Sequence, residues 1–381
     1  NSTSVAQEQT TGLAVADEPY AARAGAAILA DGGSAADAAS AMFFTLSVTY
    51  PVAAGLGGGG LCLVRQANGQ THEIDFLAHN AAGGGAFAVP GAVRGISEMQ
   101  RAYGVLPWQR AVAPAEALAA TGFPISQALS VRLADAQNAV RLDAALAAEF
   151  LDESGQPKAA GTVVTNPALA DTLAAVRLAG ADGFYKGAVA GRIVAYATGQ
   201  GGAIGAAELG AYGATQEAPG LMTVQGLAVT LPGPRTGAGA FAAAMMTRMV
   251  QQNGSGQDAA AVADTLARFH IGALPKDFGT TVGSALDANG QAVSCAVTLN
   301  APFGSAHTAQ GTGVLLAPAP HGNAGLAGAF LAPMIAADGN DVKLAGAGVG
   351  GPNGVAAIGR AVLKAAGGGA LGVNADLRST G

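Results

Sequence analysis

Two β-rich runs late in the chain, Thr281 to Leu286 and Gln291 to Leu299, are separated by Asp287-Ala288-Asn289-Gly290. This spacing constrains the fold more than any other feature. An Asn-Gly turn between β-forming runs closes an antiparallel hairpin. With the turn centred near residue 289, partner numbers sum to about 578, which sets Thr280 opposite Thr298. Asn300 lies two residues beyond Thr298, on the same face of the strand. Facing threonines are ordinary in sheets, but here Thr280 follows Gly279 at the very start of the run. A Gly-Thr bond flanked by hydroxyl and amide groups is what an N-terminal nucleophile requires. The Thr280 hydroxyl would attack the Gly279 carbonyl to form an ester, and water would then release a new α-amine. Such an amine titrates near ~8 and can act as the base for its own hydroxyl. Gly350 and Gly351, in a Gly-rich loop entering a helix, are candidates for the backbone N–H donors of an oxyanion hole.

Around this hairpin the order of elements points to helices packed on antiparallel sheets, not to alternating βαβ units. Pro19 to Leu29 reads as an Ala-rich helix closed by Asp31-Gly32-Gly33. Ser34 is positioned to cap a second helix reaching Val48, apolar on nearly every side and hence buried. Strands follow at Leu61 to Gln66 and Thr71 to Phe76, then mostly helix from Pro90 to Arg177, and helices again at Phe241 to Gln251 and Asp258 to Phe269. A second hairpin pairs Ala332 to Ala337 with Asp341 to Leu344, and the loop Gly346 to Gly354 opens a last helix ending near Ala366. The first dozen residues read as a loose arm.

Several functions are excluded. The loop Gly55 to Gly60 matches G-x-G-x-x-G, but a helix precedes it and a strand follows, the reverse of a dinucleotide site. His72, His79, His270, His307 and His321 show no metal-ligand spacing, and no Gly-x-Ser-x-Gly elbow occurs. No metal or organic cofactor is implied. A net charge of −6 without a basic cluster excludes nucleic acid as partner. The uncharged stretch Ala38 to Leu56 carries Ser, Thr and Pro and reads as a buried helix running into a loop, not a membrane span. Cys62 and Cys295, each in an apolar run, read as buried free thiols within strands, with no disulfide framework. Only 12% of residues are charged, so a weakly solvated surface is expected to pack against another copy or within a larger complex.

The chain resembles the gamma-glutamyltranspeptidase family. The block Ala24-Gly25 through Ile28-Leu29 and Asp31 to Ala39 is similar to that family's G-x-x-I-L-x-x-G-G-N-A-x-D-A-A, and Pro51 with Gly55 to Gly59 to its P-x-x-x-G-I-G-G-G loop. Pro90 to Gly95, Tyr103-Gly104, Pro114-Ala115, Gly122-Phe123, Leu169 to Leu173 and Gly183 to Gly187 follow in family order. Thr280-Thr281, Ser284, Asp287, Gly290, Thr298 to Asn300 and Phe303-Gly304 resemble the start of the small subunit. The resemblance implies an α+β fold of the αββα-sandwich type, and self-cleavage into a large-subunit-like segment, 1–279, and a small-subunit-like one, 280–381. It implies Thr280 as nucleophile, Thr298 as its hydroxyl partner, Asn300 in the site and Gly350-Gly351 as oxyanion hole. A periplasmic or extracellular location follows from the family; no leader is visible after Asn1.

The substrate clamp departs from the family. Leu77 stands where the resemblance implies an arginine for the glutamyl carboxylate. Ala317 to Gly322 replaces a polar stretch with an acidic residue, Ala329-Phe330 replaces paired serines, and Val282 a histidine. Burying a carboxylate or ammonium without a partner costs several kcal/mol, so a pocket of Leu77, Ala329 and Phe330 is expected to reject gamma-glutamyl compounds and take an apolar acyl group. Two functions are compatible with these residues. One is a threonine-nucleophile amidohydrolase or acyltransferase of small-molecule amides. The other is an inactive member serving as a structural or accessory subunit beside a protein partner.

Overall fold

Strands that alternate between two apolar faces need cover on both sides, and the chain supplies it in four layers. The computed structural model describes residues 12–252 and 257–368. Ten strands build its two larger sheets: β1 (Gly12–Ala16), β2 (Gly59–Arg65), β3 (Thr71–Asp75), β4 (Thr215–Glu217), β5 (Gly220–Val224), β6 (Leu227–Leu231), β7 (Thr280–Asp287), β8 (Ala292–Thr298), β9 (Ala332–Asp338) and β10 (Asp341–Gly348). One sheet runs β1-β7-β8-β2-β3-β4 and the other β10-β9-β6-β5, every pairing antiparallel. Cys62, Val64, Val293 and Val297 face the helices of the N-terminal half in one core. Their neighbours Leu61, Leu63, Ala292 and Ala296 point the other way and pack on Leu331 and Ile335 between the sheets. The far side of the second sheet is closed by the helices Gly237–Gln251, Asp258–Arg268 and Pro352–Ala366. This is the expected αββα sandwich.

Most helices and strands lie where the sequence places them; the exceptions are short strands it does not announce, β5 and β6 among them, and the state of the cysteines. The loose arm expected over the first dozen residues lies outside the described residues except for Gly12, which opens β1. The strands β5 and β6 were hidden by the glycines and polar residues around them. The cysteines are not free: Cys62 and Cys295 form a disulfide. They sit directly opposite each other on the neighbouring strands β2 and β8, with Cα atoms 4.1 Å apart, an adjacency that no local pattern in either strand reports.

The hairpin is anchored to the first helical layer through its turn. Helices α1 (Pro19–Ala30) and α2 (Ala35–Thr49) pack on the sheet, and every residue of α2 is buried. Ser34 and Asp37 form a capping box at the start of α2. Two further N–H groups of its first turn are taken by the hairpin: Ala35 N donates to Asp287 Oδ2 (3.0 Å) and Ala36 N to Gln291 Oε1 (2.9 Å). Asp287 Oδ1 also accepts from Asn289 N and Gln291 N, so one carboxylate shapes the turn and seats it.

Between the sheets, fully buried Glu73 on β3 accepts a short hydrogen bond from Gly233 N, while its Oε1 has no partner among the described residues. Gly233 in turn accepts from Thr236, the N-cap of the helix Gly237–Gln251. Burial, with the Asp75 and Glu217 carboxylates adding to it, pushes the Glu73 carboxyl up to about 7 despite the Gly233 bond.

Asp287→Ala is expected to lower stability in urea unfolding by about 2–3 kcal/mol, and Asp287→Asn by less. Glu73 should make stability fall with pH. Its folded pKa of about 7 lies above the ordinary 4.5, so its contribution is complete below 4.5 and lost as pH rises to about 7. The thermal midpoint of Glu73→Gln should therefore decline less than that of the wild type across this window.

Candidate active site

The site begins at a residue that only glycine can occupy. Gly279 has φ +60°, and a Cβ there would stand 2.0 Å from the Ala301 carbonyl oxygen. The next residue, Thr280, starts β7 and pairs in register with Thr298 of β8, as the turn arithmetic predicts. Both side chains are buried and share the face turned toward the second sheet.

The two hydroxyls make different bonds. Thr280 Oγ1 accepts from Gly350 N at 3.0 Å. Thr298 Oγ1 lies 3.1 Å from the Gly279 carbonyl oxygen and 3.4 Å from that of Phe278, and itself accepts from Asn300 N at 2.8 Å. Leu299 N donates to the same Gly279 oxygen at 3.0 Å. The carbonyl preceding Thr280 therefore has a backbone and a hydroxyl donor, the two-donor arrangement that stabilises an oxyanion. Leu299 carries no sequence signal for this role, because the donor is its backbone.

Asn300 adopts φ +63° and donates from Nδ2 to Pro318 O at 3.0 Å. Gly350 and Gly351 have φ +83° and +90° and join the end of β10 to the helix Pro352–Ala366. A Cβ on Gly351 would stand 2.5 Å from the Phe278 ring, so the loop closes on the residues preceding Thr280.

A cleft of about 270 Å³ opens beside Asn300, with Leu77, His79, Ala238, Gly328 and Ala329 among its walls and, among the described residues, no Asp, Glu, Lys or Arg lining it. Leu77 is fixed by its backbone: its N–H donates to Asp75 and its carbonyl accepts from the Tyr212 hydroxyl. The loop that Glu73 holds at Gly233 leads into the helix Gly237–Gln251, whose first residues, Gly237 and Ala238, also line the cleft. Phe330 is not in this wall. It turns into the core, edge-on to Phe241 (4.8 Å) and Phe278 (5.3 Å), where a large apolar ring is better buried than beside Ala329. A larger cavity of about 520 Å³, walled by Asp143, Glu149, Asn166 and Tyr196, includes none of the candidate catalytic or pocket residues.

Two further residues adjoin Thr280. Arg132, on the helix Gln127–Asp135, donates from Nη1 to Thr280 O (3.2 Å) and forks onto Asp277 through Nε (2.9 Å) and Nη2 (2.5 Å). Asp277 Oδ1 accepts from Gly279 N at 2.8 Å. The Asp-x-Gly spacing was a signal for the second contact; nothing local marks Arg132.

The chain is 30% identical over 382 residues to the glutathione hydrolase proenzyme of Pseudomonas sp. strain A14, covering 80% of this chain and 66% of that protein. It is 31% identical over 262 residues to the acylase ACY 1 proenzyme of Pseudomonas sp. strain V22, covering 62% and 47%. The chain thus spans only about half to two thirds of the length of these relatives. Its fold is similar to that of cephalosporin acylase from Bacillus halodurans, with a TM-score of 0.67 at 20% identity over 90% of this chain and 79% of that one. The model of the family described as gamma-glutamyltranspeptidase matches residues 21–270 and 250–319, and the chain belongs to that family.

Proposed function

We propose that the protein is a self-processing amidohydrolase or acyltransferase in which Thr280 is the N-terminal nucleophile and the acyl group is apolar. The observation that carries this reading is the Gly279 carbonyl, held between Leu299 N and the Thr298 hydroxyl immediately before a threonine whose own hydroxyl is held by Gly350 N. Attack of Thr280 Oγ1 on the Gly279 carbon places negative charge on an oxygen that already has two donors. The C–N bond then breaks, the hydroxyl proton passes to the departing nitrogen, and an ester links Gly279 to Thr280. Water hydrolyses the ester, giving a Gly279 carboxylate and a free Thr280 amine.

In the second stage that amine accepts the proton of its own hydroxyl as the hydroxyl attacks a substrate amide. The N–H groups of Gly350 and Gly351 face the developing oxyanion, and Asn300 holds the substrate beside the cleft. Acyl transfer to water or to an amine releases the enzyme. Leu77 and Ala329 in a wall without charged side chains favour an apolar acyl chain. A gamma-glutamyl group would bury its carboxylate and ammonium there unpaired.

The Cys62–Cys295 disulfide supports an oxidising compartment, periplasmic or extracellular. The reading as an inactive accessory subunit draws on the same charge-free cleft, and the test of processing separates the two.

After reduction, the purified wild type should give fragments 1–279 and 280–381 by mass, and Thr280→Ala one chain. Without reduction the wild-type fragments should stay joined through Cys62–Cys295, heavier than the uncut chain by one water. An uncut wild type would remove the nucleophile and leave the accessory role. For the processed protein, turnover of an apolar N-acyl amide should exceed that of gamma-glutamyl-p-nitroanilide by at least ~100-fold, the ratio that about 2.8 kcal/mol of lost pairing gives.

A further inference from the structure

Two contacts flank the Gly279–Thr280 bond and both lead back to Arg132. Asp277 Oδ1 accepts the Gly279 N–H at 2.8 Å, on the N-terminal side of the bond. Both Asp277 oxygens rest on the Arg132 fork, at 2.9 and 2.5 Å. The third guanidinium nitrogen of Arg132 donates to Thr280 O at 3.2 Å, on the C-terminal side. Arg132 is 11% exposed and lies over the Tyr50 ring, its carbon 5.3 Å from the centroid, so the fork is held from behind as well. A second pair between the same two segments, Lys276 with Asp135, is exposed on both sides and holds little.

We infer that Arg132 and Asp277 form a clamp that fixes the Gly279–Thr280 peptide in the orientation needed for self-cleavage, making Arg132 a positioning residue for processing. The inference rests on the reading of Thr280 as a self-processing nucleophile.

The mechanical argument concerns the torsions on either side of one peptide plane. Gly279 needs φ +60° to bring its carbonyl between Leu299 N and Thr298 Oγ1. Glycine itself has no preference for that conformation over many others. The Asp277 carboxylate supplies the preference by capturing the Gly279 N–H, and Arg132 prevents the carboxylate from swinging away. Thr280 O is tied to the same guanidinium, so the peptide units on both sides of the Gly279–Thr280 plane are fixed by charge-assisted bonds, and the plane between them is held at its own carbonyl by Leu299 N and Thr298 Oγ1. A lysine cannot reproduce this, because a single ammonium has no planar fork to span both Asp277 oxygens and the Thr280 carbonyl. Arg132 forms no bond to the reacting carbon or to the attacking oxygen. Its effect is on geometry, where a displacement of about 1 Å can cost roughly 100-fold in rate.

The test follows the appearance of fragment 280–381 on reducing gels, in full-length chains synthesised without cells so that cleavage has a defined zero time. Arg132→Met and Arg132→Lys should each slow cleavage at least tenfold. Lys276→Ala should stay within twofold of the wild type. Thermal midpoints are measured separately in a Thr280→Ala background, where no variant can be cut. Should Arg132→Met fail to fold there, Arg132→Lys decides. Cleavage of a folded Arg132→Lys chain at the wild-type rate overturns the clamp while leaving Thr280 as nucleophile. A wild type that never cleaves overturns both readings together. Slow cleavage in a folded Arg132→Lys chain, recovered in part by added ethylguanidinium in Arg132→Ala, supports the clamp, since repair of a merely structural defect would not depend on a planar fork.

Discussion

A one-residue slip between β7 and β8 would turn Thr280 and Thr298 from the face shared by the two sheets to the helical face, and every other feature of the site would lose its counterpart. Register is therefore the constraint on which the rest depends. It is enforced at the end of the hairpin far from Thr280. The Asp287 carboxylate shapes the turn and receives the N–H of Ala35, and Gln291 receives that of Ala36. The free N–H groups at the start of a buried helix must find acceptors somewhere, and the turn is where they find them. Helix capping and strand alignment are thus satisfied by the same bonds.

In a chain with 12% charged residues, a few charged groups are buried or half-buried, and each serves a distinct loop. Asp37 collects N–H donors from Ser34, Val105 and Leu106 and so ties the second helix to the segment after Tyr103. Glu73 fixes the entry to the helix Gly237–Gln251, and with it one wall of the cleft. Arg132 and Asp277 fix the approach to Thr280. In each case a carboxylate receives backbone N–H groups of a loop, and what it sets is a direction. The cleft itself is lined without charge. The distribution separates two tasks, orientation by buried and half-buried charged groups and accommodation by walls without Asp, Glu, Lys or Arg.

What the sequence made legible was local. The Asp287 to Gly290 turn gave the Thr280–Thr298 register because a tight turn propagates its alignment along both strands. Ser34 announced the N-cap of the second helix, where the structure adds Asp37 to complete a capping box, and the positive φ of Gly350 and Gly351 agrees with a loop only glycine traverses easily. What was missed depended on contacts between distant segments. The cysteines are separated by 233 positions, and their pairing needs β2 beside β8, which neither strand's composition encodes. Arg132 lies 145 positions from Asp277. Phe330 follows Ala329 of the cleft wall, yet the backbone after the short helix Asn323–Ala329 directs its ring into the opposite core. The Thr280–Thr298 register follows from the turn, whereas the bonds their hydroxyls make here, to Gly350 N and to the Gly279 and Phe278 carbonyls, do not, because register does not say which acceptor a hydroxyl proton will choose.

The disulfide acquires a different meaning once chain topology is considered. In the uncut chain, Cys62 and Cys295 close a covalent ring that includes the Gly279–Thr280 bond, and ring closure removes conformations from the unfolded ensemble. Opening that bond would turn the ring into a four-armed molecule with two free ends inside the former loop. The same bridge would then no longer restrict a ring but splice two polypeptides into one kinetic unit. Unfolding and refolding of the cut protein would remain first order, independent of concentration, where two unlinked fragments would have to find each other by diffusion.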